Sequence, residues 1–220
     1  MQPNSSKPKA TPNQFRIDSD FDPDCFPYMD TTTTPHIRHQ HVIFSARINE
    51  HINDIVNNPY EWVQEEVMNY LINLLWQQYP NIQGFEATHL GELNSVLNFT
   101  SHTDNFIQII NVNNEHWVCV SNIFSIENEV FLYDSALYKS IPESLKRNIY
   151  FLTNDDIQIN LANVQQQGNG SDCGLFALAF AMSLCLGKDP VQERYAPNLM
   201  RRHLFDCVIA NKMAEFPQGT

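Results

Sequence analysis

Cys173 stands where a polar loop, QQQGNGSD, meets an apolar segment, CGLFALAFAMSLCLG. If that segment is a helix, the cysteine sits at its N-terminus, where unpaired N–H groups and the positive end of the helix dipole favour a thiolate. A thiolate so placed is a nucleophile for a carbonyl carbon. Two residues far upstream supply the partners it needs. His116 opens the run EHWVCV and Asp134 closes VFLYD. Pairing of 118–120 with 130–133 through the IENE turn brings the start of one strand beside the end of the other, so His116 and Asp134 share one edge of a sheet. An imidazole held there by a carboxylate can take the thiol proton. Just before the cysteine lie Gln165, Gln166 and Gln167. A glutamine amide is a neutral N–H donor suited to the oxyanion formed on attack, and loss of such a donor costs on the order of 100- to 1000-fold in rate. The residues alone do not choose among the three.

The elements that must position these groups are legible in the spacing of apolar residues. Trp62, Val63, Val67, Leu71, Leu74 and Leu75 predict an amphipathic helix over 60–77, stopped by Pro80. Three short runs rich in Val, Ile and Phe (106–112, 116–121 and 130–133) predict adjacent strands joined by the turns VNNE and IENE. A polar helix over 142–151 and a fourth strand over 157–161 follow. The segment 173–186 is apolar all round, which predicts a helix buried on every side and ended by Gly187. A last amphipathic helix spans 197–213. This order argues for an α+β domain with a mainly antiparallel central sheet, flanked by helices and holding one buried central helix.

Composition removes several classes. With 43% hydrophobic residues in 220, the chain has material for a sizeable core. Seven Gly and 12 Pro without a repeat exclude collagen-like and low-complexity architectures. No apolar stretch reaches the roughly 20 residues a bilayer-spanning helix needs, so no membrane association is expected. A formal charge of −12 argues against nucleic acid as a direct partner. Residues 1–41 mix Pro, Ser, Thr and Asn and read as a disordered or weakly ordered tail ahead of a catalytic domain over 42–220. His36, His39 and His41 lack a second cluster of ligands and read as solvated, so no metal is expected. The first residues do not read as a secretory signal, so an intracellular, nuclear or cytoplasmic setting is expected. Five widely spaced cysteines then read as separate thiols, with Cys119, Cys185 and Cys207 in the core.

The strings HWV at 116–118, YDS at 133–135 and QQGNGSDCGLF at 166–176, in that order, resemble the ubiquitin-like protease family, the cysteine peptidases that process and remove SUMO and related modifiers. The helix WVQEEVMNYLINLL at 62–75 is similar to that family's first catalytic-domain helix, and the likeness runs from about residue 45 to 210. The order His, Asp, Gln, Cys also separates the chain from papain itself, whose cysteine comes first.

The resemblance implies the ubiquitin-like protease version of the papain-like fold. It implies Cys173 as nucleophile, His116 as general base and acid, and Asp134 as the group fixing the imidazole. The family's glutamine precedes its cysteine by six positions, which selects Gln167, with Gln166 as the fallback. The backbone N–H of Cys173 is the second oxyanion donor. Asp172 is expected to cap the helix, Gly170 to tighten the turn before it, and Gly174 to leave room for the arriving carbonyl. Trp62 and Trp117 are implied as walls of a narrow tunnel that passes only a Gly-Gly tail. Glu65 stands where the family carries an aspartate that meets an arginine of the modifier. The implied partner is a ubiquitin-like modifier and its conjugates, the chain acts as a monomer, and no cofactor is implied. Two other readings stay open on the sequence: a catalytically silent modifier-binding module, and a peptidase of viral or mobile-element type with the same triad.

Overall fold

Two asparagines set the hairpin at the centre of the fold. Asn113 and Asn114 both adopt positive φ (55° and 58°), a conformation asparagine tolerates better than most residues. They join β3 (Phe106–Val112) to β4 (His116–Ser121), and the register pairs Val112 with His116 and Ile109 with Cys119. His116 is therefore the first residue after a rigid turn. A second hairpin pairs β4 with β5 (Glu129–Tyr133), with Cys119 opposite Tyr133. Asp134 follows directly, at the sheet edge where β4 begins. The computed structural model describes residues 14–16, 46–86, 88, 105–126, 128–136, 141–153 and 157–219.

Three further strands complete the sheet: β1 (Gln14–Arg16), β2 (Gln83–Gly84) and β6 (Gln158–Leu161). The order is β1-β6-β5-β4-β3-β2. The pairings β1–β6, β3–β4 and β4–β5 are antiparallel, whereas β2–β3 and β5–β6 are parallel. The sheet is thus mixed, with antiparallel pairs in the majority. Strand β1 lies within the segment expected to be a tail. The rest of residues 1–41, including the His36, His39 and His41 group, lies outside the described residues.

Among the described residues five α-helices flank the sheet: α1 (Ala46–Asn57), α2 (Glu65–Gln78), α3 (Glu143–Thr153), α4 (Cys173–Cys185) and α5 (Pro197–Ala210). Alternation along the strands divides the core between two faces. Ile107, Ile109, Trp117, Cys119 and Tyr133 face the layer of α1, α2, α4 and α5. Phe106, Ile110, Val118, Val120 and Leu132 pack instead with Leu145, Ile149 and Leu152 around α3. Helix α4 is buried from Cys173 to Leu184, as its all-round apolar sequence requires. Gly187, at φ 70°, ends that segment, and Asn211, left-handed at φ 50°, ends α5 three residues short of the expected limit.

Helix α2 begins at Glu65 rather than residue 60, because Gln64 is still extended (φ −66°, ψ 151°). Trp62 and Val63 therefore belong to the connection between α1 and α2. Helix α1 has no counterpart among the sequence expectations.

Candidate active site

His116 and Asp134 meet as the hairpin register requires. His116 Nε2 lies 2.7 Å from Asp134 Oδ1, with both side chains buried. The same oxygen accepts a hydrogen bond from the Ala136 backbone N–H at 2.8 Å, which fixes the carboxylate's direction. Asp134 Oδ2 is buried without a partner among the described residues, so the carboxylate's charge is answered chiefly through the imidazole.

A further hydrogen bond joins the ring to the side chain of Cys173. Since Nε2 is committed to Asp134, Nδ1 is the ring nitrogen that faces the thiol. Burial works against the charge of His116. The hydrogen bonds to Asp134 and Cys173, together with their negative charges, outweigh it and hold the ring's pKa up to about 9. The histidine is protonated at neutral pH, in the form that stabilises a thiolate.

Cys173 is the first residue of α4, so its own N–H has no carbonyl four residues back within the helix. It is also covered, at 1% exposure. Part of the cover is explained by Gly174. A Cβ at that position would lie 2.8 Å from Val63 Cβ and 3.1 Å from Trp117 Cδ1. Val63 and Trp117 already fill the space a side chain would take, a packing reason for the glycine beside the expected one of leaving room for a substrate carbonyl. Trp117 is fixed there by its indole N–H, which donates to the Val63 carbonyl at 3.1 Å.

The loop before Cys173 is organised by residues that sequence reasoning passed over. Gly170 has ordinary φ and open space around it, so no tight turn rests on it. Asn169 makes the turn: its Oδ1 accepts from the backbone N–H groups of Ser171 (2.9 Å) and Asp172 (3.0 Å). Asp172 makes no side-chain cap to α4. Its carboxylate instead pairs with Arg201 at 2.5 Å through Oδ1 and accepts from Asn169 Nδ2 at 2.8 Å through Oδ2. An Asx signature, N-x-S-D, was present in the sequence for Asn169; nothing local pointed to Arg201, 29 residues away.

The three glutamines separate clearly. Gln165 binds the backbone of Tyr195 in both directions, accepting at 2.7 Å and donating at 3.2 Å. Gln166 donates to the carbonyls of Asp134 and Val164, each at 3.1 Å, and so supports the carboxylate's own backbone. Gln167 accepts from Ser135 Oγ at 2.7 Å and donates from Nε2 to the Asn169 carbonyl at 2.6 Å.

The tryptophans differ in setting. Trp117 is 3% exposed and Trp62 is 36% exposed. Glu65 lies on the surface in the first turn of α2, with Oε1 accepting from Thr88 Oγ1 at 3.1 Å.

A second cysteine–histidine contact occurs on α5, where Cys207 Sγ lies 3.4 Å from His203 Nε2. That nitrogen also lies 3.1 Å from the Ala214 carbonyl, which only an N–H can satisfy, so it is no base for the thiol. Burial raises the Cys207, Cys119 and Cys185 thiols, the last up to about 12.

A sequence profile described as the Ulp1 protease family, C-terminal catalytic domain, matches residues 40–207. The chain belongs to the Ulp1 protease family. Among solved structures it is similar to the C-terminal Ulp1 protease domain in complex with Smt3, the yeast ortholog of SUMO, at 15% identity and TM-score 0.54, covering 76% of this chain and 96% of that one. It is also similar to the SUMO protease Ulp1 with its catalytic cysteine oxidised to a sulfenic acid (15% identity, TM-score 0.54, covering 78% and 98%). A third similar structure is a de-sumoylating protease (13% identity, TM-score 0.55, covering 74% and 85%). No curated protein matches the chain in sequence. The α+β fold is that of the Ulp1 proteases, in agreement with the expectation of a papain-like domain of this type.

Proposed function

We propose that this chain is a cysteine peptidase that hydrolyses the peptide or isopeptide bond after the Gly-Gly end of a ubiquitin-like modifier. The observation that carries this reading is the line of contacts from Asp134 Oδ1 through the His116 ring to Cys173 at the tip of α4. The Cys173 thiolate attacks the glycine carbonyl carbon, and the electron pair of that carbonyl moves onto its oxygen. The Cys173 N–H and the Gln167 amide receive the oxyanion, for which Gln167 Nε2 must exchange the Asn169 carbonyl for the substrate. The tetrahedral species collapses as His116 gives its proton to the departing amine, leaving a thioester. Neutral His116 then takes a proton from water, whose oxygen attacks the thioester. The modifier leaves with a free carboxylate, and the thiolate–imidazolium pair is restored.

Cys173 is covered and Trp117 packs beside the helix tip, which favours a substrate delivered as a narrow extended chain without bulky side chains. Trp62, exposed at the rim, forms the outer wall and Glu65 the polar contact to the modifier's globular part. The similar Ulp1 domain was solved with Smt3, which supports a SUMO-like class of modifier here.

The test is a panel of modifiers carrying a C-terminal electrophile, applied to the wild type and to Cys173→Ser. Labelling of the wild type at Cys173 and of no site in the variant is expected. A folded wild type that reacts with none of the panel overturns the proposal and leaves a silent binding domain.

A further inference from the structure

Arg201, on α5, belongs to no part of the triad, yet its guanidinium touches both halves of the site. The two N–H groups of Nη1 are shared among three backbone carbonyls: Ile55 in the last turn of α1 at 3.1 Å, and Asn58 at 3.2 Å and Glu61 at 2.8 Å in the connection between α1 and α2. Nη2 donates to Ser171 Oγ at 3.1 Å and to Asp172 Oδ1 at 2.5 Å, the two residues that precede Cys173. The pair is largely buried, with side-chain exposures of 13% and 7%. Ser171 Oγ adds a direct link to the Pro59 carbonyl at 3.0 Å. The connection so gripped leads straight into Trp62 and Val63, and Val63 is in turn held by the Trp117 indole beside His116.

Resting on the peptidase reading above, we infer that Arg201 is a positioning residue: it locks the loop that carries Cys173 to the turn that carries Trp62, so that thiol and rim keep one register. The fork geometry of arginine is what allows one side chain to serve five acceptors in two separate segments. A lysine at the same place offers a compact charge with three donors on a flexible stem. It answers Asp172 and lets go of the carbonyls. The thiol and its imidazole, held by α4 and the sheet, stay in place, while the Trp62 turn loses its anchor. Displacement by about 1 Å of a group that positions substrate can cost as much as 100-fold.

The experiment compares Arg201→Lys with wild type in three readouts. Alkylation of Cys173 by iodoacetamide reports the thiolate alone and stays within about twofold, whereas KM for a fluorogenic Gly-Gly modifier substrate rises roughly tenfold with kcat nearly kept. Acrylamide quenching of tryptophan fluorescence increases, since Trp62 is the most exposed of the three tryptophans. The double variant Arg201→Met/Asp172→Asn, which leaves no buried charge unpaired, keeps the raised KM. Wild-type KM in that double variant shows that the arginine only neutralises Asp172, and overturns the inference. So do equal losses of alkylation and cleavage in Arg201→Lys, or unchanged KM and quenching. A wild type that alkylates but cleaves no modifier refutes the peptidase reading instead, and the quenching comparison then still decides the role of Arg201.

Discussion

His116 Nε2 lies 2.7 Å from Asp134 Oδ1, and the carboxylate's other oxygen is buried without a hydrogen-bond partner among the described residues. The contact converts a histidine with an ordinary pKa near 6.5 into one that keeps its proton up to about 9. Because the folded value lies above the unfolded one, the contact contributes its full stability below about pH 6.5. That contribution is lost as the pH rises through about 9. The catalytic consequence runs the same way, since the departing amine needs the imidazolium.

The first prediction concerns that proton. For the wild type, kcat holds across neutral pH and falls through a basic limb near 9. Asp134→Asn removes the charged hydrogen-bond partner that does most to raise the ring's pKa and leaves burial, which lowers it. The basic limb then moves to lower pH and kcat drops by on the order of 100-fold or more. A pH–rate profile of the variant with its basic limb unmoved contradicts the assignment.

The second concerns the choice among thiols. Exposure alone favours Cys185, which is half-buried, over covered Cys173. The protonated His116 ring beside it favours Cys173, whereas burial holds the Cys185 thiol up to about 12. Limited alkylation at pH 6 followed by peptide mass mapping is expected to modify Cys173 ahead of Cys185, Cys119 and Cys207. Preferential labelling of Cys185 shows that access, not the imidazole, governs reactivity.

The third concerns the glutamines. Gln167→Ala lowers kcat by on the order of 100-fold while KM changes little, the pattern of a contact made only in the transition state. Gln166→Ala loses its hydrogen bond to the Asp134 carbonyl and costs about 1 kcal/mol of stability. Steady-state kinetics with chemical denaturation of both variants reads the two effects separately, and the opposite order transfers the oxyanion role to Gln166.

The fourth concerns Gly174. The methyl group of Gly174→Ala enters within 2.8 Å of Val63 and 3.1 Å of Trp117. Overpacking of this kind costs about 1–3 kcal/mol and pushes Val63 and the Trp117 indole outward. A lower midpoint in denaturant together with impaired modifier cleavage is expected. Unchanged stability means that Val63 yields freely, and removes the packing reason for the glycine.

Much of the site was legible because it depends on sequence-local features. The all-round apolar run after Cys173 defined α4 and put the thiol at its tip. Strand alternation and two short turns brought His116 to Asp134 without any knowledge of the remaining chain. What escaped depends on contacts between segments far apart. Arg201 reaches Ile55 across 146 positions, and no periodicity encodes that. Asp172 looked like a helix cap because its position and type fit, but a buried guanidinium outcompetes the helix N–H groups for its oxygens. Helix α2 started late because the chain stays extended to Gln64, with the Glu61 carbonyl turned to Arg201. Strands β1 and β2 are three and two residues long, too short to carry an alternating pattern.

The helix that bears the thiol has no side toward water until its last turn. Most damage along it is therefore reported as loss of the whole molecule, and the chemistry can be silenced in an intact protein only at its first position, in the loop before it or on the strands across from it. A lineage in which such a chain drifts from cutting modifiers to merely holding them has only those few places to change. An inactive descendant would still be recognisable by an undisturbed rod of apolar residues behind a replaced Cys173.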